Sequence, residues 1–173
     1  MKKVKHSTAG AFVFAQLDGQ WRLGLIEHPR LRRLTIPGGH VEADEHVRQA
    51  AEREVLEETG LTVRLIGAPA TVPLPRGYPH PEVMAPWWVT ELEVLADNHT
   101  AEPHIHIDHQ YVAIADAVVP TREPDHPFAW FDDDQVAQAA MFEDTRLLGL
   151  ALFGCISDAA AGRHSAVLDE LAR

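Results

Sequence analysis

Three glutamates, Glu54, Glu57 and Glu58, fall within residues 44–58, a run without Gly or Pro that is rich in Ala, Glu, Arg and Leu. That composition favours a helix. With Glu54 at zero on a wheel of about 100° per residue, Glu57 falls near 300° and Glu58 near 40°, so the three make one stripe. Val47, Ala51 and Val55 fall between about 20° and 100°, which puts the stripe on the border of the core-facing side. Like charges at these spacings each cost a helix about 0.2–0.5 kcal/mol, and more where solvent is partly excluded. A bound cation would recover that cost, and hard oxygen ligands without a thiolate favour Mg2+ or Mn2+ over zinc. Arg53, four residues before Glu57, can pair with and orient a carboxylate. Gly38 and Gly39 allow close backbone approach just upstream of the helix N-terminus, a natural place to receive phosphate. A solvated, Glu-rich helix accounts for any one pair of these residues. The whole pattern in register describes a site for a divalent cation and a polyphosphate.

The elements that must position this segment follow from the flanking sequence. Residues 7–15 and 21–27 are short β-branched or aromatic runs around Leu17-Asp18-Gly19-Gln20, a hairpin signal. A basic patch (Arg30, Arg32, Arg33) precedes Pro37-Gly38-Gly39, which reads as a loop. Asp44 is placed to cap the helix and Gly60 to stop it in a left-handed turn. Residues 62–66 read as a strand, and residues 67–86, with six prolines, as a long irregular connection. Residues 87–95, 110–118 and 128–131 read as further strands. The acidic run Asp132-Asp133-Asp134 starts the first of three helices, at 134–141, 144–158 and 163–172. Without regular βαβ alternation, this order predicts an α+β fold, a mixed sheet covered by helices, rather than a doubly wound parallel sheet.

Residues 39–61 resemble the Nudix box, G-x5-E-x7-R-E-U-x-E-E-x-G-U, where U is a bulky aliphatic. Gly39, Glu45, Arg53, Glu54, Val55, Glu57, Glu58, Gly60 and Leu61 fill every defined position. The resemblance implies the Nudix α/β/α sandwich, a single domain over 1–173, and hydrolysis of a nucleoside diphosphate linked to another moiety. It also implies that Glu57 and Glu58 ligate the metal, with Glu54 a further ligand or the group that activates water. The Gly39 carbonyl would complete the coordination, and Glu45 would be held by Arg53. Some members take the base from outside the box; Asp132, Asp133, Asp134 and Glu123 are the candidates here. Members often form homodimers. Two other activities of the fold remain alternatives: a nucleotide-sensing module that does not turn its ligand over, and isoprenoid diphosphate isomerisation. The latter calls for a cysteine acid–base partner, and lone Cys155 lies in a helical apolar run where an inert thiol is expected.

Other signals bear on the substrate. In PHIHIDHQYVA, residues 103–113, an extended chain puts His104, His106 and Asp108 on one face. They could bind a transition metal if a second segment, His80 for instance, converges on them, or face a substrate at the mouth of the sheet. Tyr78 is similar in placement to a tyrosine of diadenosine polyphosphate hydrolases, and Pro73 and Pro75 to a proline of ADP-ribose pyrophosphatases. Trp87 and Trp88 are candidates to stack a base, and Arg30, Arg32, Arg33 and Arg76 to hold phosphates.

Composition narrows the partners. The chain has 173 residues, with 15 Lys+Arg against 26 Asp+Glu for a net charge of −11. That balance disfavours nucleic acid and membrane surfaces, both polyanionic, and leaves a small nucleotide-like molecule as the expected partner. One cysteine excludes an intramolecular disulfide. The longest apolar stretch, residues 147–156, is about half a membrane span. The basic N-terminus leads into an alternating run that reads as a strand, not a signal peptide. A cytoplasmic protein is expected.

Overall fold

The computed structural model describes residues 3–30, 32–97 and 100–172. Met1 and Lys2, the start of the basic N-terminus, lie outside the described residues. β1 (Lys5–Leu17) and β2 (Gln20–Glu27) form the expected antiparallel hairpin. Its turn residues Asp18 and Gly19 take φ of 51° and 76°, the left-handed pair whose twist matches the flanking strands. There follow β3 (Leu34–Thr35), β4 (Gly38–His40), α1 (Val47–Thr59), β5 (Val63–Ile66), β6 (Trp88–Val94), β7 (His104–Ala115) and β8 (Phe128–Phe131). Three helices close the chain: α2 (Asp133–Gln138), α3 (Glu143–Ala160) and α4 (His164–Leu171).

The sheet runs β3-β2-β1-β7-β5, with β4, β6 and β8 pairing onto β1, β7 and β2. β1 and β7 are parallel from Lys5–Ile105 to Phe14–Ile114, and the other ladders are antiparallel. Alternation along β1 sorts the two cores. Ala9, Ala11 and Val13 meet Ala50, Ala51 and Val55 of α1, and these mostly small side chains let the helix approach closely. Phe12 and Phe14 point the other way, into a core with Val136 of α2, Leu152 and Ile156 of α3, and Val167 of α4. A mixed sheet with helices on both faces is the α/β/α sandwich anticipated above.

Several boundaries differ from the sequence reading, and three bear on the site. Gly38 and Gly39, read as part of a loop, belong to β4, because they pair with Gly10 and Ala9 of β1. α1 begins at Val47, with His46 rather than Asp44 as its cap. The His46 ring accepts from the Gln49 N–H at 3.2 Å and the Gln49 side chain accepts from the His46 N–H at 3.1 Å, a reciprocal cap that Asp44 is too far upstream to make. β7 begins at His104, six residues before the expected start. Its first half alternates His with Ile and follows Pro103, so it lacks a continuous apolar run; pairing with β1 on one side and β6 on the other makes it a strand regardless. At the helix end, Gly60 is left-handed at φ 70°, as expected.

Cys155 is buried on α3 within the second core, and burial, then Glu170 and Asp158, push its thiol up to about 11. At pH 8 only about one thiol in 10³ would be ionised. Labelling of the native protein by a thiol-specific disulfide reagent should therefore run at least 100-fold slower than labelling of the unfolded chain, about two decades being the loss in thiolate fraction. Comparable rates would show an accessible thiol. No helix among the described residues is long and apolar enough to cross a membrane.

Candidate active site

Register places the site. β2 pairs with the second half of β1, so β4 lies along the first half: Thr8 faces His40, Ala9 faces Gly39 and Gly10 faces Gly38. A Cβ on Gly10 would sit 2.7 Å from the Pro37 carbonyl oxygen, and one on Gly38 would sit 2.7 Å from the Gly10 Cα. A Cβ on Gly39 would collide with the Glu54 carboxylate. The glycines thus let β4 lie against both β1 and the acidic stripe of α1. Gly38 also donates its N–H to Glu58 at 2.8 Å, and α1 starts only at Val47.

Arg53 ties the stripe together. Its Nε and Nη2 donate to the two oxygens of Glu45 at 3.1 and 2.7 Å, a bidentate pair. Nη1 donates to Glu54 at 2.8 Å and Glu57 at 2.9 Å, and Nη2 reaches the His40 carbonyl at 3.0 Å. Arg53, on α1, is therefore a guanidinium that fixes three carboxylates and a backbone oxygen of β4 at once.

The carboxylates are not equivalent. The Arg53 hydrogen bond holds Glu45 below the ordinary carboxylate range. Burial raises Glu54 despite Arg53, with Glu57 and Glu45 adding to the shift. Glu58 is pushed up to about 8, first by burial and then by Glu54, Asp125 and Glu57, against the pull of the Gly38 N–H. His126 Nε2 lies 3.3 Å from Glu58 Oε1. Glu57 is the most exposed of the three, its side chain 39% accessible against 14% for each of the others. Two buried carboxyls that resist ionising together fit a divalent cation, which would supply the missing countercharge.

Glu54, Glu58, Gly38 and Gly39 wall a cavity of about 610 Å³ that also touches Arg30, Asp108 and His126. This is the size of a small-molecule site. His126 and Asp144, also on the wall, were missed in the sequence. His126 lies in an aperiodic, proline-rich stretch, and Asp144 reads as an ordinary acidic first turn of α3.

Other expected residues are elsewhere or do other work. Asp132 caps α2 and pairs with Arg22 at 3.0 Å; it, Asp133, Asp134 and Glu123 are not on the cavity wall. Trp87 and Trp88 border a second cavity, of about 330 Å³, with Leu168 and Leu171 of α4. Trp87 donates to the Ile66 carbonyl at 2.9 Å and Trp88 lies edge-on to Phe12, so packing accounts for the placement of both. Arg32 pairs with Glu27, Arg33 lies over the Phe142 ring, Arg76 and Tyr78 are exposed, and Pro73 and Pro75 lie in an exposed loop. His80 contacts the Tyr78 ring. Asp108 accepts from Thr8 at 2.9 Å and Gln110 at 2.8 Å. His104 and His106 meet His40 and Asp97 instead of His80, and burial, then His104, lowers His106.

The NUDIX domain family model matches residues 4–141. No curated protein matches the sequence. Among solved structures, a NUDIX-family hydrolase from Clostridium perfringens is 20% identical with a TM-score of 0.65, over 87% of this chain and 97% of that one. The Ap4A hydrolase of C. elegans is 18% identical with a TM-score of 0.53, over 87% and 98%. The NUDIX domain of Shewanella oneidensis NrtR, solved with ADP ribose, is 17% identical with a TM-score of 0.53, over 94% and 90%. The fold, the intact box folded into one carboxylate–guanidinium network and the family match over most of its length agree: the chain belongs to the NUDIX family.

Proposed function

We propose that the chain, acting as one domain in the cytoplasm, uses Mg2+ or Mn2+ to cleave the diphosphate linkage of a nucleoside diphosphate derivative. An (oxidised) NTP or dNTP, ADP-ribose or a dinucleoside polyphosphate fits that class. The reading is supported above all by Glu54 and Glu58 lying on the wall of the 610 Å³ cavity with Glu57 tied to the same arginine. Glu57, Glu58, Glu54 and the Gly39 carbonyl would hold the cation. When bound, it would neutralise the diphosphate and polarise a P–O bond for in-line attack by water.

The chain's own residues do the rest. Arg53 and Glu45 fix the direction in which Glu54 and Glu57 present their oxygens. Gly38 and Gly39 keep β4 close enough to line the reacting linkage with backbone. Glu54, whose burial favours taking up a proton, is suited to draw one from the attacking water. His126 Nε2 is within reach of Glu58 Oε1 to share the proton there. Arg30 gives the wall a cation for a further phosphate. The two ADP-containing ligands named for the neighbouring structures, Ap4A and ADP ribose, put those compounds first among substrates to try.

The test is a panel of NTPs, oxidised dNTPs, ADP-ribose and dinucleoside polyphosphates with Mg2+, read by chromatography of products. At least one should be hydrolysed at a phosphoanhydride bond. No turnover on any, together with tight binding by calorimetry, would replace the enzyme with a nucleotide-sensing module. The isomerase alternative loses its cysteine, since Cys155 is in the core on α3 and not on the cavity wall.

A further inference from the structure

Beside the acidic site lies a cluster of a different chemical kind. His40 of β4, Asp97 from the β6–β7 connection, and His104 and His106 of β7 each present a donor atom, all within 4.8 Å of one another. We infer that these four residues form a second metal site, for a first-row transition ion with zinc the best fit, distinct from the glutamate site on α1.

Geometry carries the assignment. Tetrahedral zinc with Zn–N and Zn–O bonds of about 2.0–2.2 Å separates its donors by roughly 3.3–3.5 Å. Here Asp97 Oδ2 is 3.2 Å from His104 Nε2, 3.4 Å from His106 Nε2 and 3.6 Å from His40 Nε2. The His104 and His106 Nε2 atoms are 2.9 Å apart. Four of the six donor separations thus stand close to the edges of such a tetrahedron, and the two from His40 to the other imidazoles lie within 4.8 Å.

Proton bookkeeping points the same way. His104 Nδ1 lies 2.9 Å from the Glu102 carbonyl, which can only accept, so this nitrogen carries the hydrogen. In a neutral ring, Nε2 is then a bare lone pair, yet it faces both a carboxylate oxygen and another Nε2. Neutral imidazoles cannot satisfy both contacts with hydrogen bonds. A cation at the centre turns every one of these lone pairs into a bond, and a carbonyl-anchored Nδ1–H is how metal-bound histidines are commonly oriented.

Donor type separates the two sites. Three imidazoles and one carboxylate suit zinc and its neighbours in the first transition row, whereas the all-oxygen stripe on α1 suits Mg2+. Four protein ligands make a closed, structural kind of site. His40, Asp97 and His106 line the 610 Å³ cavity, and the His40 carbonyl accepts from Arg53. The ion would therefore clamp the β6–β7 connection onto β4 and fix one wall of the substrate cavity.

The experiment uses the full chain, stripped with a chelator and titrated with Zn2+ and, separately, Co2+. Wild type and a Glu57→Gln/Glu58→Gln double variant should each take up one equivalent at micromolar metal, with the intense visible bands of tetrahedral Co2+. Zn2+ should raise Tm in both. His106→Ala should weaken uptake at least tenfold, in line with the roughly 10–100-fold lost even with outer partners; the isosteric Asp97→Asn should do the same if His106→Ala does not fold. Absence of micromolar binding to wild type, an octahedral Co2+ spectrum, or binding lost in the glutamate double variant but kept in Asp97→Asn would each overturn the assignment.

Discussion

Replacing Glu57 or Glu58 with glutamine is expected to lower kcat on the best substrate on the order of 10³-fold, since loss of about 4 kcal/mol of transition-state charge stabilisation has that effect. The isosteric change keeps the shape of the stripe and removes one anionic oxygen ligand. Rates are to be compared at saturating Mg2+; full activity in both variants would remove the carboxylates from the mechanism. Stability separates loss of chemistry from loss of fold. In the metal-free protein Glu58 is raised from 4.5 to about 8, in the company of Glu54, Glu57, Asp125 and His126. A raised carboxyl contributes stability that is full below about 4.5 and is lost as pH rises through about 8. Glutamine does not titrate, so the Tm of chelated Glu58→Gln should gain on wild type between about pH 4.5 and pH 8 and level off above that. Added Mg2+ should raise the wild-type Tm much more than the variant's. A Glu58→Gln protein less stable than wild type at every pH without metal would mean that the inactive variant is merely damaged.

What the sequence disclosed was what depends on neighbours along one element. The stripe on α1 needs only a wheel, the hairpin at Asp18-Gly19 only the demand for positive φ, and the stop at Gly60 only a left-handed turn. Residues whose roles come from pairing across the sheet were not visible. β4 is three residues long and carries two glycines, so no periodicity marks it; its place beside Thr8, Ala9 and Gly10 is set by the tight backbone contact that glycines at 10 and 38 permit. The His-Ile alternation at 104–107 was read correctly as one face of an extended chain, but its partner could not be. His40 lies far from it in sequence and meets it only because β4 and β7 flank β1 on opposite sides, while Asp97, seven residues before His104, folds back onto it from the β6–β7 connection. His126 at Glu58 is hidden for the same reason: it belongs to an irregular segment that only tertiary packing brings to α1.

Arg53→Lys should cost about 10²-fold in kcat with little change in KM, the loss expected when reacting groups are held about an ångström out of place. The substitution keeps the charge but not the fork. Arg53 makes five hydrogen bonds, to Glu45, Glu54, Glu57 and the His40 carbonyl. An ammonium has three donors on a single nitrogen and cannot span directions that diverge this widely. The side chain is 25% exposed, so the pairs are partly screened; a stability loss of about 1–3 kcal/mol in urea unfolding is expected, the range of one charged hydrogen bond. That loss alone would fit a purely structural arginine, and Glu45 supplies the discriminating measurement. Its carboxyl is held low mainly by Arg53, and it also accepts from the Glu42 N–H at 3.0 Å, which fixes it independently to the loop before α1. If Glu45 acts on the chemistry only by aiming Arg53, then Glu45→Gln should lower kcat by itself, yet lower it hardly further once Arg53 is lysine. Independent, additive losses in kcat would mean that the two act separately, and a fully active Arg53→Lys enzyme would show that Glu54 and Glu57 need no guanidinium to find their positions.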